Sequence, residues 1–304
     1  MTSFQERSPR IPSDAGHFVK QDSYMKPIAC ILALLLSPLY LAHAEVQSGT
    51  VIVVYFSQDK LIMAADSRSG FTDRANSDEI CKIIAPNHKF LFAVAGIAAA
   101  TDKTNSFLTW DGQDEARRAY DKTIGAFSEA PPDLIERIAT SWGQTIQQNI
   151  VRLYFSDIAT FKSRLKQPKG MLSLGVFGGR NPNGSLRLIT AEIDYDESFL
   201  PPIRLTVTTQ SCVENVNICA FGEVSVPAEY VNLVSDRAKK ERAGWDPSPA
   251  FPKEDWDILR VIRLVDLTIA FDKTGRVGGG IDAAQISQDG TLRWYQRKEN
   301  CRED

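Results

Sequence analysis

Between Ser48 and Arg68 the chain reads SGTVIVVYFSQDKLIMAADSR. The middle of this run suits a buried hairpin, but its ends carry reactive groups. One end has the Thr50 hydroxyl behind Gly49; the other has the Asp66 carboxylate, the Ser67 hydroxyl and the Arg68 guanidinium. A threonine hydroxyl is a poor nucleophile and needs an adjacent base before it attacks a carbonyl. Histidine is the commonest base, and the sequence holds His17, His43 and His88 only. His17 and His43 fall in a leader described below. His88 lies in Pro86-Asn87-His88-Lys89, the place of a solvated turn residue. One imidazole makes both a Ser-His-Asp triad and a multi-histidine zinc site improbable. C-x-x-C, G-x-G-x-x-G and P-loop patterns are absent as well. No metal or cofactor is expected, and any base is expected to be something other than histidine.

The leader is read from its layout. Residues 1–24 form a polar extension without pattern. Residues 25–44, MKPIACILALLLSPLYLAHA, carry a lysine, an apolar run and a closing Ala42-His43-Ala44, the order of a secretory signal peptide. A membrane anchor is the alternative, but the run falls short of the ~20 residues a spanning helix needs. Export to the periplasm or medium is therefore expected, with cleavage after Ala44 and no stable membrane anchor afterwards. Met25 is an alternative start to Met1. Cys30 departs with the leader and leaves Cys81, Cys212, Cys219 and Cys301. An oxidising compartment permits disulfides, and Cys212–Cys219 could close a short loop; free buried thiols fit equally well. The balance of 43% apolar and 24% charged residues at net charge −3 is that of an ordinary globular chain. It has no basic stripe, so no nucleic-acid partner is expected.

The elements that must position these groups follow from periodicity. Thr50–Phe56 and Leu61–Ala65 flank Ser57-Gln58-Asp59-Lys60 as a hairpin buried on both faces. Glu79–Ala85 and Lys89–Ala95 predict a second hairpin. Helical patterns occupy Gln113–Phe127 and then a segment opening at Pro131-Pro132, with Leu134, Ile135, Ile138, Trp142, Ile146 and Ile150 at helical spacing, running to about Tyr154 with a continuation to Leu165. Strands return at Met171–Phe177, Leu186–Ile193, Ile203–Thr208 and Val216–Phe221. Val226–Arg242 and Glu254–Phe271 read as helices, and Gly280–Ser287 with Thr291–Tyr295 as a closing hairpin. Tight turns between consecutive strands imply antiparallel sheets, with the two helical blocks on their outer faces. The expected fold is α+β, a four-layer α-β-β-α sandwich of two antiparallel sheets in a single domain over residues 50–304.

Gly49-Thr50, Ala64-Ala65-Asp66-Ser67-Arg68, Cys81-Lys82 and Ala95-Gly96-Ile97-Ala98-Ala99 together resemble the first third of a proteasome β-subunit, an N-terminal-nucleophile hydrolase of the same layering. Counted from Thr50, Asp66 lies 16 residues on, Arg68 18, Lys82 32 and Gly96 46. These offsets match that family's nucleophile, aspartate, arginine, lysine and oxyanion-hole glycine without a gap. Beyond Ala99 the likeness rests on element order and on the pattern from Gly279 to Tyr295.

The resemblance implies a chemistry that suits a chain poor in histidine. With Thr50 as chain terminus, its own α-amine, of ordinary pKa about 8, takes the proton. Lys82 places a positive charge beside the hydroxyl, Asp66 pairs with Lys82, and the Gly96 N–H meets the oxyanion. The implied activity is hydrolysis of a peptide or small amide substrate through an ester on Thr50. The terminus is made by self-cleavage at Gly49–Thr50, which removes a propeptide of residues 45–49. Family members assemble into rings, so a homo-oligomer is implied too.

Each residue also has a plain structural reading. Thr50 can simply open a strand, Asp66 cap a turn with Arg68 as surface partner, Lys82 sit on a solvated face, and Gly96 mark a bend. The sequence departs from the family as well. Val51-Ile52 follow the nucleophile position, Glu223 occupies the place of a distal serine with Ser225 two residues on, and Asp272 fits the distal aspartate only with a small insertion. The resulting expectation is an exported, self-processing threonine-type peptidase. The alternatives are an acylase or amidase on a small amide, and a catalytically silent assembly or binding protein of the same fold.

Overall fold

The computed structural model describes residues 49–68, 81–101, 108–156, 158–165, 168–212, 217–244, 252, 255–299 and 301. The polar extension, the segment read as a signal peptide and residues 45–48 lie outside the described residues. One sheet has the order β10-β1-β2-β11-β12, built from β1 (Val51–Phe56), β2 (Lys60–Asp66), β10 (Ile218–Gly222), β11 (Ile281–Ser287) and β12 (Leu292–Gln296). The other has the order β3-β4-β7-β8-β9, from β3 (Ile83–Ile84), β4 (Phe90–Gly96), β7 (Lys169–Arg180), β8 (Leu186–Asp196) and β9 (Ile203–Thr209). All their ladders are antiparallel. A small ribbon pairs β5 (Ala99–Thr101) with β6 (Leu108–Asp111).

Period-two alternation explains why β1 and the Leu61–Ala65 stretch of β2 are apolar on both faces. Ile52, Val54, Leu61, Met63 and Ala65 face Leu91, Ala93, Ala95, Leu174 and Val176 in the layer between the sheets. Val51, Val53, Ile62 and Ala64 point the other way, against Val261, Leu264 and Val265 of a helix α6 (Trp256–Phe271). The second sheet is covered by α1 (Gly112–Gly125) and α2 (Leu134–Ser156), whose Ile135, Ile138, Trp142, Ile146 and Ile150 are buried on Phe92, Phe177, Ile189 and Ile193. Three apolar layers between four layers of elements make the α-β-β-α sandwich expected from the sequence. Each fully buried aliphatic or aromatic side chain contributes about 1.5–3 kcal/mol relative to exposure. Trp142 is fully buried in the layer under α1 and α2. Its ring meets Phe92 at 5.4 Å and Phe177 at 5.6 Å, and its Nε1–H donates to the Gly112 carbonyl at 2.8 Å.

Capping sets the helix starts. The Asp111 carboxylate accepts from Gln113 and Asp114 N–H at the head of α1, and Asn181 Oδ1, from the β7–β8 turn, accepts from Ile135 N–H of α2. The segment read as one helix over Val226–Arg242 is two, α4 (Ser225–Val231) and α5 (Asp236–Ala243), following a short α3 (Ile158–Arg164). Leu233 turns left-handed at φ 54°, and Ser235 Oγ caps the new start through Ala238 N–H. The second hairpin bends through a single 3-10 turn, Pro86–His88, with His88 exposed. The β5–β6 ribbon was not expected; strands of three and four residues are too short for a periodicity to register. Both cysteine pairs are bonded, Cys81–Cys301 and Cys212–Cys219. Among the described residues, no helix is long and apolar enough to cross a membrane.

Candidate active site

Thr50 stands at the mouth of β1, only 4% exposed, and Lys82 Nζ donates to its Oγ1 at 2.7 Å. The β1–β2 register pairs Ile52 with Ala65, which brings the next residue of each strand, Val51 and Asp66, together. Val51 N–H then donates to Asp66 Oδ1 at 3.0 Å, while Gly278 and Arg68 N–H donate to Oδ2 at 3.0 and 3.3 Å. A fully buried carboxylate thus fixes the backbone that leads out of Thr50. Lys82, immediately before β3, is buried as well, so neither it nor Asp66 sits on a solvated face.

Charge in this setting is costly, and both groups respond. Burial pushes the Asp66 carboxyl up to about 6, against the opposing pull of Lys82 and the three N–H groups. Burial also lowers the Lys82 ammonium; Asp66 works against that shift, Lys298 adds to it, and Asp282 opposes it. Asp66 therefore acts on Lys82 as a nearby negative charge, while its oxygens are taken by backbone donors. The result is a lysine easier to deprotonate than an exposed one, in contact with a hydroxyl.

Two glycines, Gly222 and Gly49, make the crowding around Thr50 possible. At Gly222, φ is +77° and a Cβ would come within 2.0 Å of the Thr50 carbonyl oxygen; that oxygen accepts from Glu223 N–H at 2.9 Å. At Gly49 a Cβ would meet the Arg276 carbonyl oxygen at 2.4 Å, so the bond before Thr50 is pressed against the loop from Gly275 to Gly278. Gly96 ends β4 opposite Ser173 with φ +82°, where a Cβ would lie 2.4 Å from the Leu172 carbonyl oxygen. Arg68 braces the same loop: its Nη1 donates to Gly275 O at 2.9 Å and its N–H to Gly278 O at 2.9 Å.

The distal candidates are engaged locally instead. Glu223 Oε1 accepts from Ser225 Oγ at 2.5 Å and Ser225 N–H at 3.3 Å, with Ser225 exposed. It is the Glu223 backbone, rather than its side chain, that touches Thr50. Asp272 folds its own loop, accepting from Thr274 N–H and Oγ1 on one oxygen and from Val277 N–H on the other. Burial works to raise its carboxyl, but the Thr274 hydroxyl and the backbone N–H groups outweigh it and hold the group below the usual carboxylate range.

Several residues near the site were not singled out from sequence. Asp282 is fully buried in β11 and accepts from Lys82 N–H at 3.0 Å. Gln113 Nε2 donates to the Cys81 carbonyl, and the Cys81–Cys301 disulfide adjoins Lys82. A signal for Asp282 was present: Ile281-Asp282-Ala283-Ala284 sets one carboxylate in an apolar strand, as Ala64-Ala65-Asp66 does. Among the described residues, no group of three or more histidine, cysteine, aspartate or glutamate side chains gathers in a way that would hold a metal.

No family model matches the chain, and no curated protein matches it. Among solved structures it is similar to the Anbu (Gly-1) mutant from Hyphomicrobium sp. strain MC1, with 13% identity over 83% of this chain and 88% of that one, at a TM-score of 0.47.

Proposed function

We propose that this chain is an exported, self-processing threonine hydrolase that cuts peptide bonds with Thr50 as nucleophile. The observation that carries the reading is the 2.7 Å contact of Lys82 Nζ with Thr50 Oγ1, inside a pocket of buried charge set by Asp66. A purely structural threonine at the head of a strand has no use for a buried lysine on its hydroxyl, because burying an ammonium is costly unless its charge is used or paired.

In the unprocessed chain the Thr50 nitrogen is an amide and cannot take a proton. Lys82, which burial lowers, is the group in contact that can. Thr50 Oγ1 gives up its proton and adds to the Gly49 carbonyl carbon. The Gly49–Thr50 C–N bond breaks, the nitrogen takes a proton, and Gly49 is left as an ester on Oγ1. Water then adds to the ester, Gly49 departs as a carboxylate, and Oγ1 regains its proton. The α-amine so released becomes the base for later substrates. Gly96 N–H meets the oxyanion, and Asp66 keeps the field at Lys82 negative enough for it to hold a proton between steps. A short peptide, an unfolded segment or a small amide is the substrate class, and a homo-oligomer is the proposed assembly.

One observation favours a second reading. Ser225 and Asp272 spend their side chains on their own loops, which would leave a terminal amine of Thr50 without those partners and the fold as a silent assembly or binding protein. Intact mass and N-terminal sequencing of the exported protein, beside Thr50→Ala, separate the two. The hydrolase reading expects a wild-type chain beginning at Thr50 and a variant beginning at Glu45. Both chains beginning at Glu45 would leave Thr50 blocked and give the silent reading.

A further inference from the structure

Lys82 can serve Thr50 only if its backbone is held, since the side chain has four rotatable bonds and the contact is a single hydrogen bond. What holds it comes from the far end of the chain. Asp282 Oδ2 accepts from Lys82 N–H at 3.0 Å and from Lys298 Nζ at 3.1 Å. Asp282 is 0% exposed, and its other oxygen, Oδ1, is buried without a hydrogen-bond partner among the described residues. An arrangement so poorly compensated is an expensive way to build a strand and marks a site where position matters more than stability. The neighbouring residue is tied to the same segment by the Cys81–Cys301 disulfide, three residues beyond Lys298. Gln113 of α1 takes the Cys81 carbonyl from the other side.

We infer that Asp282 is the positioning residue of this site, and that Lys298, through its ion pair, and Cys301, through its disulfide to Cys81, form a strap that holds Asp282 against the Lys82 backbone. The inference rests on the Thr50–Lys82 reading for its chemical purpose, but the placement of Lys82 can be tested without it. Asp66, Asp282 and Lys298 are the charges that act on the Lys82 ammonium.

The test uses the exported protein, its lysines 13C-labelled at Cε, with the Lys82 signal assigned as the one lost in Lys82→Arg. Asp282→Asn keeps an oxygen for the Lys82 N–H and removes the charge; Asp282→Ala removes both. The Cys81→Ser/Cys301→Ser pair unties the strap. Asp282→Ala and the cysteine pair are expected to broaden or move the Lys82 signal and slow Gly49–Thr50 cleavage roughly 10–100-fold, the cost of about an ångström of misplacement. Asp282→Asn is expected to stay within about 3-fold, because the backbone bond survives. Denaturant unfolding supplies the folded fraction for every variant, and Lys298→Met loosens the strap by removing the ion partner of Asp282 while its bond to the Lys82 N–H stays; it is expected to move the Lys82 signal less than Asp282→Ala does. An unmoved Lys82 signal in folded Asp282→Ala and in the cysteine pair would overturn the inference, whatever Thr50 does. A moved signal with no cleavage in any chain, wild type included, would support the strap and count against the hydrolase.

Discussion

The two halves of the candidate site are built by different means. The proximal half, Thr50, Asp66 and Lys82, comes from the ends of two strands and the residue before a third; it is buried and its members act on one another. The distal half, Glu223, Ser225 and Asp272, comes from a loop, a helix start and a helix end; its side chains bond within their own segments. What reaches the proximal half from these distal segments is backbone: the Glu223 N–H on the Thr50 carbonyl and, from the loop that follows Asp272, the Gly278 N–H on Asp66. Ladder register fixes strand ends to a fraction of an ångström, whereas a loop can satisfy its polar groups locally and still keep its path.

Substitutions that cross this divide test it. The largest effect is expected in the proximal half: Lys82→Ala should fold and lose on the order of 10²–10⁴-fold in Gly49–Thr50 cleavage, the range for a positioned proton-transfer group. Turnover per folded molecule that stayed constant would make Lys82 structural. Gly222→Ala comes next, because its Cβ has no room beside the Thr50 carbonyl and its φ is positive. A loss of roughly 2–4 kcal/mol in unfolding free energy is expected, measured in urea.

Asp66 sharpens the comparison through pH. Its carboxyl is held at about 6 in the folded chain, above the ordinary 3.8, so folding favours its neutral form. Its contribution to stability is complete below about pH 4 and is lost as pH rises through 6. The charge that Lys82 needs appears over the same interval, so cleavage should rise along an acidic limb near pH 6 as stability from this group declines. Asp66→Asn is expected to abolish both slopes, read from cleavage rate and urea midpoint across pH 4–7. The smallest effect belongs to the distal half: Ser225→Ala, at an exposed hydroxyl, should change stability by under about 0.5 kcal/mol. Its cleavage rate should stay within about 3-fold of wild type, since the side chain does not reach Thr50. A hundredfold loss there would show that the loop rearranges during the reaction.

Much of this was legible in the sequence because strands announce themselves. The unbroken apolar runs of β1, β2 and β4 fix element type, and with it the layer order and the strand ends where Thr50, Asp66 and Gly96 stand. The distal half was harder. Whether Glu223 offers its carboxylate or its N–H depends on a positive φ at Gly222, and one residue's backbone leaves no periodicity to read. The break between α4 and α5 hinged on Leu233 in the same way. Cys81–Cys301 spans 220 residues, and four cysteines allow three pairings that composition cannot rank. Asp282 was readable as an odd carboxylate in an apolar strand, yet only the register opposite Ala65 and Ile83's neighbour shows what it meets.

The order of the first sheet also sets a timetable. β2 lies between β1 and β11, and the bonds that complete the pocket join Asp66 to Gly278 across 212 positions and Lys82 to Asp282 across 200. Contacts so distant along the chain form late, after the loop-closure entropy has been overcome. A nascent chain has Thr50, Asp66 and Lys82 long before it has the strand that assembles them. The last strands to be synthesised thus act as a completeness check, and a polypeptide cut short before Ile281 would carry Thr50, Asp66 and Lys82 without the strand whose Asp282 holds the Lys82 backbone.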